Sequence, residues 1–140
     1  MASSTGAAPS LPLILARELA ANLATPMFLI DASGTLVFFN DAAELVIGKS
    51  FGELGEVSAL EFGAMLQLAD TDGRPLRRRD TPAAVAFFQR RPAYRRLMAQ
   101  GFDGVRRVVE VTAYPLFGRT EEMHGVVTVF WEPTDTGDAD

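Results

Sequence analysis

The sequence predicts an α+β fold: a five-stranded antiparallel sheet with short helices on one face and an N-terminal helix on the other. Three observations carry this. Five segments rich in β-branched and aromatic residues are bounded by turn chemistry, and the last three follow one another as hairpins. The first two, within FLIDASGTLVFFN, are apolar at nearly every position, so both faces of that hairpin need cover. Finally, 140 residues without a cysteine suffice for one domain that buries its own core without disulfide staples.

The elements follow in order. Residues 1–9, MASSTGAAP, are small and polar and are expected to be disordered. Ser10 is placed to cap a helix over residues 11–22, and 10–24 form a flanking segment ahead of the main domain, 25–132. Leu11, Ile14, Leu15, Leu19 and Leu23 recur at helical spacing as an apolar stripe, and Leu13 off the stripe broadens that face. Such a helix must dock on the sheet's outer face or on a second copy of itself, and the stripe is the expected dimerisation surface. Thr25-Pro26 ends it, because proline removes a donor and restricts the residue before it.

Strands are expected over 27–31 and 35–39, joined at Ala32-Ser33-Gly34, where glycine accepts a positive φ. Asn40 or Asp41 caps a short helix that Gly48 closes. Residues 49–67 hold three glycines and scattered apolar side chains, which predicts irregular turns and short helical pieces, or a brief strand at 63–68. Asp72-Gly73 marks a turn, and Asp80 with Thr81-Pro82 opens a helix to about residue 89. Three strands follow, over 94–100, 105–116 and 124–131. Val109, Val111 and Ala113 alternate with Glu110, Thr112 and Tyr114 to give an inner face, and Val127, Val129 and Trp131 are read the same way on the last strand. The end, 133–140, is an acidic tail expected to be loose.

Composition narrows the function. A single histidine, His124, and no cysteine exclude multi-histidine and sulfur-based metal sites and thiolate catalysis, and fit a reducing compartment; a cytoplasmic location is expected. The longest apolar run, LPLILA, is too short to span a bilayer. The net charge of −5 hides an asymmetry: ten of the thirteen basic residues lie between Arg74 and Arg107, where only Asp80 and Asp103 are acidic. That block is either a set of solvated faces or a contact surface for an acidic protein partner. Nucleic acid is not an expected partner, since the total charge is negative and no stacking aromatics punctuate the arginines.

Three stretches carry a family resemblance: FLIDASGTLVFFNDAAELVIG, with an Asp-x-x-Gly turn, a strand ending in Asn and a short helix ending in Gly; DGRPLRRRDTPAAVAF; and GFDGVRRVVEVTAYPLFGRTEEMHGVVTVFWE, with two closing hairpins. In this order and spacing the chain resembles a PAS domain over roughly residues 25–132, similar to bacterial members. The resemblance implies a sensory and interaction module rather than an enzyme. It implies a small molecule, or none, held between the inner sheet face and the middle helices, dimerisation through the N-terminal helix, and signalling to a protein partner in trans.

Against that expectation the residues sort as follows. A flavin–cysteine adduct is excluded because no cysteine exists, and haem is disfavoured because His124 is the only histidine and starts a strand. Phe28, Ile30, Phe38, Val85, Phe88, Val109, Val111, Val127 and Val129, with Tyr94, Met98 and Trp131, are candidates to line a cavity for an apolar guest such as a fatty acyl chain, with Tyr94 or an arginine at its mouth. Alternatively the same residues fill a core, and the protein is a ligand-free adaptor working through its basic 74–107 region. Arg95, Arg96, Arg106 and Arg107 are candidates to clamp a carboxylate, or else lie in water. No carboxylate spacing among Asp31, Asp41, Glu44, Asp80 and Glu110 pairs two acids across a cleft, and Ser33 has no histidine partner, so catalysis is not expected.

Overall fold

The computed structural model describes residues 10–133. The expectations for residues 1–9 and for the acidic end of the chain lie outside the described residues.

Helix α1 spans Leu11–Ala21, and Ser10 accepts from the Leu13 amide as its cap. Strands β1 (Met27–Asp31) and β2 (Thr35–Phe39) form the first hairpin. Its turn is held by Asp31, whose Oδ1 accepts from the Ser33 and Thr35 amides, while Gly34 takes φ +88°. Asn40, not Asp41, caps α2 (Asp41–Ile47), which ends at Gly48 in the left-handed conformation, φ +83°. The middle contains α3 (Phe51–Leu54), β3 (Val57–Ser58) and α4 (Ala59–Met65). A 3₁₀ turn at Arg78–Asp80 leads into α5 (Pro82–Gln89). The closing strands are β4 (Ala93–Gln100), β5 (Arg106–Phe117) and β6 (Met123–Trp131).

All six strands form one antiparallel sheet in the order β3-β2-β1-β6-β5-β4. The five expected strands are present, and β3 adds a two-residue sixth at the edge. The brief strand expected over 63–68 is corrected: α4 runs to Met65 there, and extended pairing appears only at Ala69, which bridges Pro75 and Met98.

The sheet divides the molecule into two compartments. On its inner face Leu36, Phe39, Leu97, Val109, Val111 and Phe130 pack with Ala43 and Ile47 of α2 and Phe62 of α4. Phe62 stands edge-on to Phe28 at 5.5 Å and stacks on Phe39 at 6.1 Å. A second inner cluster joins Ile30, Ala113 and Val126 to Ala86 of α5. On the outer face Leu13 and Ala20 of α1 pack on Met27, Leu29 and Val127. This two-sided burial explains the unbroken apolar hairpin.

The register shifts twice, near the β5–β6 turn, where Leu116 pairs with Gly125 but Phe117 with Met123, and within the first hairpin. Leu29 pairs with Phe38 but Ile30 pairs with Leu36, so Val37 is the extra residue and Phe38 turns to the outer face with it. Among the described residues, Thr128 Oγ1 is the buried side-chain oxygen or nitrogen left without a partner.

Candidate functional site

A cavity of about 290 Å³ lies between the inner sheet face and the helices of the middle segment. The sheet supplies Phe28, Ile30, Leu97, Val109, Val111 and Phe130 as its floor. Val46 and Ile47 close one side from α2, and Ala59, Phe62 and Gly63 reach in from α4. Leu76, Pro82 and Ala83 complete the cover, and three polar side chains, Gln67, Arg78 and Thr81, join this otherwise apolar wall. The volume is at the small end of the range for ligand sites.

The cavity wall at α2 is clamped from outside. The Phe102 amide donates to Ile47 O at 2.7 Å, and the Arg107 guanidinium donates to Val46 O at 3.1 Å while pairing with Asp103 at 3.1 Å. That contact holds the Asp103 carboxyl below its ordinary pKa. Gly101 permits this approach, since a Cβ there would stand 2.7 Å from Val46 O. The wall is therefore fixed to the β4–β5 hairpin rather than hanging free.

Of the residues expected at the cavity, Phe28, Ile30, Val109 and Val111 line it. The others require correction. Val127 is buried in the outer cluster, and Val129 and Phe38 pack against that cluster. Trp131 shares their side of β6 and is 38% exposed. The reason is a one-residue phase error: Val126, Thr128 and Phe130 are the inward set, because Phe28 pairs with Thr128 and Val111 with Phe130. Tyr94 and Met98 pair with Thr112 and Val108, across from the inward Leu97–Val109 pair, so they also face outward. Tyr94 is 58% exposed and donates to Glu110, which raises its pKa. On α5, Val85 is half-buried outside the lining, and Phe88 is exposed beneath the Arg79 guanidinium at 5.1 Å. Proline and alanines make the inward surface of that helix instead.

The missed wall residues are Phe62, Leu97, Phe130, Leu76 and the Val46-Ile47 pair. A signal for Phe62 exists: Ser58-x-x-Glu61 starts a helix, with the Glu61 amide donating to Ser58 Oγ at 3.1 Å, and this would set the following phenylalanine on a helical face.

The four strand arginines do not line the cavity. Arg79 and Arg90 lie over Phe88 and Phe117, and Arg107 is engaged as above, so part of the basic block is spent within the fold. His124 also lies away from the cavity, its Nε2 3.1 Å from Glu122 at the β5–β6 turn, where hydrogen bonding from Thr120 pulls the Glu122 carboxyl down to about 2. Among the described residues no three acidic or histidine side chains gather as a metal site, and no helix is long and apolar enough to cross a membrane.

On the opposite side of the sheet, α1 leaves its stripe open. Leu11, Leu15 and Leu19 are 66%, 58% and 58% exposed, and Ile14 and Leu23 are exposed as well. The helix docks through Leu13 and Ala20 over β1 and β6. Outward side chains of β4 and β5, among them Tyr94, Val108 and Tyr114, remain exposed beside it.

No family model matches the chain, and no curated protein matches it. Solved structures do. A LOV protein from Rhodobacter sphaeroides superposes with a TM-score of 0.71 at 16% identity, covering 92% of this chain and 71% of that one. The PAS domain of BvgS from Bordetella pertussis aligns with a TM-score of 0.59 at 16% identity over 88% of this chain and 86% of its own. This is a PAS fold. The light-state dimer of the fungal blue-light photoreceptor Vivid aligns at 0.61 and 15% identity, over 91% and 97%. Cysteinyl-adduct chemistry has no nucleophile in this chain, and the cavity lining offers a single side-chain amide, Gln67.

Proposed function

We propose that the protein is a sensory module that takes a small, mostly apolar molecule into the cavity, pairs through α1 and signals to a protein partner in trans. The observation that carries this reading is the wall of Phe28, Ile30, Phe62, Val109, Val111 and Phe130 around a defined space, in a chain with the PAS fold. An apolar void has no partner atoms on one side and lowers stability, so a guest that fills it gains dispersion and hydrophobic energy together. Nothing among the lining residues pairs an acid with a base or a nucleophile with its activator, which favours binding over turnover.

The pairing rests on the exposed α1 stripe, and the likeness to a structure described as a dimer supports it. Native mass spectrometry of the purified protein tests the guest. The expected result is a retained small mass that organic extraction removes; its repeated absence under gentle ionisation overturns the reading.

A further inference from the structure

We infer that the guest is a monocarboxylate with an apolar tail, held tail-inward with its head at Arg78; this rests on the reading of the cavity as a ligand site. Of the three polar side chains on the lining, Thr81 is already spent. Its hydroxyl donates to Arg78 O at 3.2 Å and accepts from the Ala84 amide at 3.2 Å, the cap of α5. Gln67 and Arg78 are both exposed and have no side-chain hydrogen bond or ion pair among the described residues, so they sit at the opening rather than inside. Arg79, next in the chain, is held over Phe88, whereas Arg78 has no such aromatic partner among the described residues.

No aspartate, glutamate or lysine lines the cavity. The site thus presents an apolar interior, one fixed positive charge at its edge and an amide beside it. A cationic guest meets repulsion there, and a neutral hydrocarbon makes no use of the guanidinium. A dicarboxylate would have to bury its second charge against Phe28, Val109 and Phe130 without a partner, which is costly. A single carboxylate on an apolar tail satisfies both ends, because guanidinium accepts that group in a planar, two-bonded geometry. The head position matters for signalling as well. Arg78 begins the 3₁₀ turn that leads into α5, and Pro82 and Ala83 of that helix are part of the same wall.

Isothermal titration calorimetry with decanoate and with decanol separates head from tail. Because Arg78 is solvent-exposed, the expected advantage of decanoate over decanol is modest, about fivefold. Arg78→Gln should erase that advantage and leave decanol affinity unchanged, with the circular dichroism spectrum preserved. Ala83→Phe, which fills the cavity from α5, should abolish both ligands. If decanol binds as tightly as decanoate, or the advantage survives Arg78→Gln, while Ala83→Phe still blocks binding, the carboxylate assignment is overturned and the cavity reading stands. If neither compound binds, or Ala83→Phe changes nothing, both are overturned.

Discussion

Asn40 joins more of the molecule than any other single side chain described above. It is 2% exposed. Its Oδ1 accepts from the Met27 amide at 3.0 Å and the Ala43 amide at 3.1 Å, starting β1 and capping α2 at once. Its Nδ2 donates to Ala20 O and Thr25 O, both at 2.9 Å, which anchors the end of α1 and the link to the sheet. Removing the amide therefore deletes a helix cap and leaves the Met27 amide and the Thr25 carbonyl without their partner, while Ala43 N and Ala20 O keep backbone bonds to Asn40 O and Leu23 N; each unpaired group is costly. Asn40→Ala should destabilise the fold by about 3 kcal/mol, read as a lower urea midpoint with an unchanged slope. A loss below about 1 kcal/mol would show that water or a shifted backbone replaces these bonds. The sequence marks Asn40 or Asp41 equally as the cap, since both side chains can accept from the helix amides. Burial decides between them, because only the neutral amide can both accept and donate without burying a charge.

At the scale of elements, legibility follows the strength of the local signal. The spans of β1 and β2 are readable because the Asp31–Gly34 turn and the Asn40 cap bound them on both sides. The phase of β6 is not readable in the same way. Residues 126–130 are apolar except for Thr128, so period-two alternation is absent, and pairing with Phe28 and Val111 sets which side faces in. The middle is obscure because α3 and α4 are four and seven residues long, too short for periodicity to stand out. Their capping serines were the available signal, Ser50 and Glu53 forming a full capping box. Helix α1 divides cleanly into a docked side, Leu13 and Ala20, and an open side, Leu15 and Leu19, and this gives a test of the pairing. Leu15→Glu/Leu19→Glu should leave the melting temperature of the monomer nearly unchanged while lowering the solution mass at tens of micromolar from dimer to monomer, measured by light scattering. An unmodified chain that is already monomeric at that concentration would assign the stripe to a different partner.

For the whole molecule, the sheet is both a floor and a partition. The cavity lies on one side of it and the surface proposed for pairing on the other, so a guest can influence output only by changing the stability or geometry of what spans the two. The spanning connections are few and identifiable: Asn40 ties α1 to α2, and α2 supplies Val46 and Ile47 to the cavity wall. A guest that binds the folded chain and not the unfolded one must raise stability, by about 2.7 kcal/mol at a hundredfold excess over its Kd. For a domain of this size that corresponds to a rise in melting temperature on the order of 10 °C. Protein stripped by organic extraction should melt lower than protein as isolated, and added decanoate should restore the difference in proportion to the logarithm of its concentration. Asn40→Ser offers a capping hydroxyl without burying a charge but loses the amide donors to Ala20 and Thr25, so the guest should still raise its melting temperature while hydrogen exchange in α1 no longer responds. Equal response of α1 in both proteins would mean that the message crosses the sheet through the packed side chains of β1 and β6 instead.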